Sequence, residues 1–155
     1  MRKLKVLCLH GYRQNPEFFR EKSGGFRKLL KKYIDFDYVA APHSPNIDVS
    51  SGNVEETANR GDALAWWFSK PNNQFSSKDA TDLDTGFSES VERVVKYAAE
   101  NGPFDGIMGF SQGATFAVLL AAMRARNEIH LEFSFMIIVS GFPSLCSKHA
   151  QLMNT

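Results

Sequence analysis

An α/β fold, a parallel sheet flanked by helices, is predicted for this sequence by three observations. Short apolar runs alternate along the chain with stretches of helical period. The runs are nearly continuous in apolar residues, as in strands covered on both faces, and each closes on a glycine, a proline or a polar turn. Strands alternating with helices build βαβ units with right-handed crossovers, and such units make the sheet parallel.

The first strand is Leu4 to Leu9, ending at His10-Gly11. Asn15-Pro16 then offers an N-cap followed by proline at the first helical position. Phe26, Leu29, Leu30 and Tyr33 recur at helical spacing, and Gly24-Gly25 is expected to bend or break that helix. Phe36 to Ala41 reads as a second strand closed by Pro42. From His43 to Asp84 the pattern weakens into Pro, Ser, Asn, Asp and Gly, interrupted by the apolar Ala63 to Phe68, and a loop this long is expected to act as a lid or binding segment. Phe87, Val91, Val94, Val95 and Ala98 share one face of a helix that stops at Gly102-Pro103. A strand over Phe104 to Phe110, a helix over Gln112 to Arg126 and a strand over Phe133 to Val139 complete the order.

Composition restricts the function classes. With 43% apolar and 23% charged residues, residues 1–155 are expected to form one globular domain. The net charge is +1, and the only basic run, Lys28, Lys31 and Lys32, is explained by solvation, so nothing points to nucleic acid. No run reaches the roughly 18 apolar residues of a membrane span, and the N-terminus lacks a signal-peptide pattern. Cys8 and Cys146 form neither a disulfide framework nor a metal-ligand spacing, so a reducing, cytoplasmic setting without metal or cofactor is the expectation.

Gly109-Phe110-Ser111-Gln112-Gly113 matches G-x-S-x-G where a strand meets a helix, the context that gives this motif meaning. The turn is tight enough to require glycine at 109 and 113, and it lifts the Ser111 hydroxyl above the carboxyl edge of the sheet, at the positive end of the next helix. A serine nucleophile also needs donors for the developing oxyanion. The Gln112 backbone N–H is one candidate, and the Tyr12 N–H, on the glycine turn after the first strand, is the other. Together these features predict an α/β-hydrolase-like sheet.

Five segments, LCLHGYRQN at Leu7 to Asn15, APH at Ala41 to His43, RGDALAWWF at Arg60 to Phe68, FDGIMGFSQGA at Phe104 to Ala114 and FSFMIIVSGFPS at Phe133 to Ser144, resemble the family of serine hydrolases that includes the ovarian-cancer-associated esterases and their fungal relatives. Acyl-protein thioesterases and small carboxylesterases share the LHG and GFSQGA elements. The resemblance implies Ser111 as nucleophile, Tyr12 and Gln112 at the oxyanion hole, and hydrolysis of small carboxylic esters through an acyl-serine.

In α/β-hydrolases the acid and the histidine follow the nucleophile in the chain. Beyond Ser111 the acidic residues are Glu128 and Glu132 and the histidines are His130 and His149. Glu128, His130 and Glu132 fall on a connection expected at the amino edge of the sheet, opposite the site. His149 follows a strand's carboxyl end but matches no family position. The family fold adds two parallel strands after Phe133 to Val139, so an incomplete domain is expected, marginal in stability or self-associating through that apolar edge. An esterase and a catalytically impaired isoform or pseudoenzyme acting as a binding protein both remain open. His10 reads as a structural hydrogen-bonding residue and His43 as a pocket candidate. Trp66, Trp67 and Phe68 read equally as an acyl-binding wall or as core, and Arg13 and Gln14 either fix the oxyanion loop or face solvent.

Overall fold

A computed structural model describes residues 1–46 and 62–154, so Arg60 and Gly61 of the RGDALAWWF segment lie outside the described residues. In chain order the elements are β1 (Leu4–Leu9), α1 (Pro16–Lys22), α2 (Gly24–Leu30), β2 (Ile34–Val39), α3 (Phe87–Asn101), β3 (Gly106–Phe110), α4 (Gln112–Ala125), β4 (Phe135–Val139) and α5 (Ser147–Met153). The strands lie in the order β2-β1-β3-β4, and every pairing is parallel.

Burial explains the order. Val6, Leu7, Cys8 and Leu9 of β1 have no exposure, as apolar side chains on both faces of a central strand require. On one face Val6, Cys8 and Met108 meet Phe19 of α1, with Phe36, Tyr38, Phe110 and Ile137 around them. On the other, Leu7, Leu9 and Ile107 pack against Val91 and Val94 of α3 and Phe116, Leu119 and Leu120 of α4.

The expected cap on α1 is present: Asn15 Oδ1 accepts from the Phe18 N–H at 2.8 Å, and Pro16 opens the helix. The break before α2 falls at Ser23, one residue ahead of the glycines, where Ser23 Oγ donates to Phe19 O at 2.7 Å and also contacts Tyr38 Oη at 2.7 Å. The helix α2 ends at Leu30, short of Tyr33, and its stripe is less buried than the spacing suggests, with Phe26 and Leu29 exposed.

Two findings sharpen the sequence reading. The stretch from His43 to Asp84 lies partly outside the described residues, and within it Ala63, Ala65, Trp66, Trp67 and Phe68 are buried as core, with single bridges from Leu64 to Gln14, Ala65 to His43 and Phe68 to Thr85. The tail after β4 forms α5, which packs against α4. β4 pairs only with β3 among the described strands, and its Met136, Ile138 and Val139 are exposed.

Candidate active site

β3 ends at Phe110 and α4 begins at Gln112, so the chain reverses within the single residue Ser111, at φ 53° and ψ −117°. A positive φ on a non-glycine residue is strained by about 1–3 kcal/mol and persists only where the surroundings hold it. Here the Ser111 N–H donates to Val139 O at 2.9 Å, and Ser111 O accepts from Ala114 N–H at 3.0 Å and Thr115 N–H at 3.1 Å. The flanking glycines are needed for space. A Cβ at Gly109 would stand 2.6 Å from Ala114 Cα, and one at Gly113 would lie 2.7 Å from the Leu9 carbonyl carbon and overlap the carbonyl oxygens of Leu9 and His10. The elbow therefore rests directly on the end of β1.

The loop after β1 is fixed by a compact set of bonds. The Gly11 N–H donates to Gln14 Oε1 at 2.8 Å, the Gln14 N–H to Gly11 O at 3.2 Å, and Arg13 N–H and Leu64 N–H each cross to the other segment at 2.8 Å. Gln14 is buried and thus fixes the loop, while Arg13 sits at φ 63° with its Nε buried and without a partner among the described residues. The Tyr12 hydroxyl accepts from Phe75 N–H at 3.2 Å, anchoring the ring. The backbone N–H groups of Tyr12 and Gln112 donate to no acceptor among the described residues.

The Gln112 side chain has a role that the sequence motif does not announce. It has no exposure; its Oε1 accepts from Trp66 N–H at 3.0 Å and its Nε2 donates to Trp67 O at 2.8 Å. Gln112→Leu would keep the volume and strand both backbone groups, and a buried unpaired group costs about 1–3 kcal/mol. A loss of about 2–4 kcal/mol is expected, read as a lowered urea midpoint at unchanged m-value.

His10 joins the same network. Its Nε2 accepts from Ala41 N–H at 3.0 Å and its Nδ1 lies 2.8 Å from Gly11 O, a pair of contacts that requires the neutral ring with the proton on Nδ1. Trp66 stacks on the ring at 5.0 Å and donates its indole N–H to His10 O at 2.7 Å. Burial lowers the imidazole pKa to about 4. Because the unfolded ring binds its proton at higher pH than the folded one, stability is complete above pH 6.5 and falls as the pH drops from there to about 4. The expected loss is on the order of 3 kcal/mol. Burial also lowers His149, in the same direction. Urea midpoints that do not move between pH 7 and pH 4.5 would refute this.

The remaining candidates are placed as follows. His43 Nε2 lies 2.9 Å from Gly86 O, and Gly86 has φ 88° with no room for a Cβ against that ring, so His43 secures the entry to α3. Trp66 and Trp67 are at most 1% exposed and lie within the core, Trp66 stacked on Phe116 and Trp67 tilted against it. His130 is exposed beside Glu132, next to Gly102 and Pro103, which precede β3 at the amino edge of the sheet. His149 is buried, with Nδ1 2.7 Å from Ser144 Oγ and Nε2 3.2 Å from Asp84 Oδ2. None of the four histidines hydrogen-bonds Ser111 Oγ.

No helix among the described residues is long and apolar enough to cross a membrane. The sequence matches the family described as "Serine hydrolase (FSH1)" over residues 1–155. It is 47% identical to "Esterase C25G4.2" of Caenorhabditis elegans, over 97% of this chain and 65% of that protein. It is 40% identical to "Esterase OVCA2" of Danio rerio, over 94% of this chain and 68% of that protein. The chain thus spans about two thirds of the length of these relatives. Zea mays acyl-protein thioesterase 2 superposes with a TM-score of 0.59 at 20% identity, covering 100% of this chain and 68% of the thioesterase. Esterase PE8 superposes at 0.55 with 17% identity, covering 97% of this chain and 75% of the esterase, and both neighbours share the α/β-hydrolase fold. With the elbow, the all-parallel sheet and a match that runs from end to end, the chain belongs to the FSH1 serine hydrolase family.

Proposed function

We propose that this chain acts on small carboxylic esters through an acyl-serine at Ser111. The observation that carries this is the strained Ser111 elbow, followed at once by a backbone donor that, like the Tyr12 N–H, has no acceptor among the described residues. Ser111 Oγ would attack the ester carbonyl carbon as its proton passes to a base, and the carbonyl oxygen would gather negative charge at the N–H groups of Tyr12 and Gln112. Collapse of that adduct expels the alcohol, and attack by water on the acyl-serine returns the carboxylic acid and the free hydroxyl. The 14-residue α4 directs its N-terminal dipole at the same point.

A second reading, a scaffold that binds but does not turn over, is favoured by one observation: no histidine of the chain is bonded to Ser111. An oxyanion site without its base retains only slow chemistry. The test is a fluorophosphonate probe on the 155-residue chain and on Ser111→Ala. Slow labelling that Ser111→Ala abolishes supports the esterase reading, and labelling that survives this substitution refutes it. Complete inertness of folded protein selects the scaffold. The exposed β4 edge is further proposed to pair chain to chain. Light scattering should then show association that rises with concentration and is reversed by Ile138→Lys; a clean monomer throughout would rule this out.

A further inference from the structure

We propose that Asp84, Cys146 and His149 form a binding site for a divalent cation of the zinc class, one that ties α5 to the segment entering α3. The three come from separate places in the sequence, and their ligand atoms lie within 4.8 Å of one another. Asp84 Oδ2 and His149 Nε2 are already 3.2 Å apart. Bonds of about 2.0–2.3 Å in a tetrahedral zinc site set donors roughly 3.3–3.7 Å apart, so that edge is in place and the thiolate has about 1 Å to close.

The donor set selects the metal. One thiolate, one imidazole and one carboxylate suit zinc, whereas calcium and magnesium take oxygen donors. Two negative ligands and a neutral imidazole balance a dication. The sites of attachment are firm. Cys146 and His149 are three positions apart across the start of α5, with the His149 N–H donating to Cys146 O at 3.1 Å, so thiol and ring fall on one side. Thr81 is bridged to Cys146, its N–H donating to Leu145 O at 3.3 Å and its O accepting from Ser147 N–H at 2.9 Å. That bridge brings Asp84, a few residues on, against the helix.

The surroundings also fit. Cys146 and His149 are 4% and 1% exposed, and the ring nitrogen turned away from the cluster is held by Ser144 Oγ at 2.7 Å, the outer contact that orients a metal-bound histidine. The other Asp84 oxygen faces the exposed Lys148 Nζ at 3.4 Å, while Oδ2 is bonded to His149 Nε2 at 3.2 Å, the contact that the ion would replace. A seven-residue helix has little stability of its own, so a metal tie there has a structural purpose. None of the three ligands bonds to Ser111, which makes this site independent of the esterase reading.

The test titrates the chelator-treated 155-residue chain with cobalt(II), then displaces it with zinc. One equivalent of cobalt should produce a thiolate-to-metal charge-transfer band with tetrahedral visible bands, and zinc, unlike magnesium, should raise the melting temperature. Binding should displace the thiol proton and so weaken as the pH falls. Cys146→Ser and His149→Gln, each shown by circular dichroism to be folded, should lose the band, and Ser144→Ala should bind about 10-fold more weakly. Cys8→Ser, His130→Ala and Ser111→Ala should bind as the parent does. Absence of a stoichiometric charge-transfer band, or a band that survives Cys146→Ser or vanishes in Cys8→Ser, would overturn the proposal.

Discussion

Gly113→Ala is expected to cost about 3 kcal/mol or more, enough to leave a marginal domain substantially unfolded. An added methyl at this position would overlap the carbonyl oxygens of Leu9 and His10. These belong to backbone at the end of the central strand, held by the parallel ladders to β2 and β3, and backbone cannot rotate aside as a side chain would. The strain would be relieved by lifting α4 from the sheet, which opens the packing of Phe116, Leu119 and Leu120. Urea denaturation followed by circular dichroism measures this, and an alanine variant within 1 kcal/mol of the parent would show that the elbow is looser than described.

Ser111 should show the opposite balance between stability and chemistry. Both Ser111→Ala and Ser111→Gly remove the hydroxyl and should abolish covalent labelling. Only glycine relieves the backbone at φ 53° and ψ −117°, so Ser111→Gly should be more stable than Ser111→Ala by about 1 kcal/mol. On an ordinary helix alanine is favoured over glycine by a similar amount, so the inverted order is diagnostic. Equal urea midpoints for the two variants would remove strain from the account of this site.

How much of this was legible in the sequence follows from the range of the interactions involved. β1 and β3 could be read because strands covered on both faces are apolar at successive positions, a signal carried within a few residues, and β4 because its run is apolar and β-branched although its side chains are only partly covered. The elbow could be read because its glycines stand at fixed spacing around the serine, although only Gly109 is crowded locally, by Gly113 and Ala114, while Gly113 is crowded by the end of β1. The break at Ser23 was expected a residue later, since the Ser23 hydroxyl turns back on Phe19 O and meets Tyr38, a partner that only folding supplies. Ala63 to Phe68 looked like an interruption in a polar loop. Its burial depends on Gln112 and His10, distant in sequence, which satisfy its backbone and the Trp66 indole. α5 buries only His149, so it lacks the apolar stripe by which a helix is recognised. Asp84 gave no signal at all, because its meeting with Cys146 and His149 is made by the bridge at Thr81.

The hydrogen bonds that run from His10 through Trp66 to Gln112 join the end of β1, the segment from Ala63 to Phe68 and the start of α4 by way of fully buried groups. Such a chain leaves little scope for partial opening near the serine, because losing any link exposes tryptophan indole and core backbone together. Indole fluorescence and probe labelling at Ser111 should therefore follow one denaturation curve, and the elbow would itself serve as a reporter of global cooperativity.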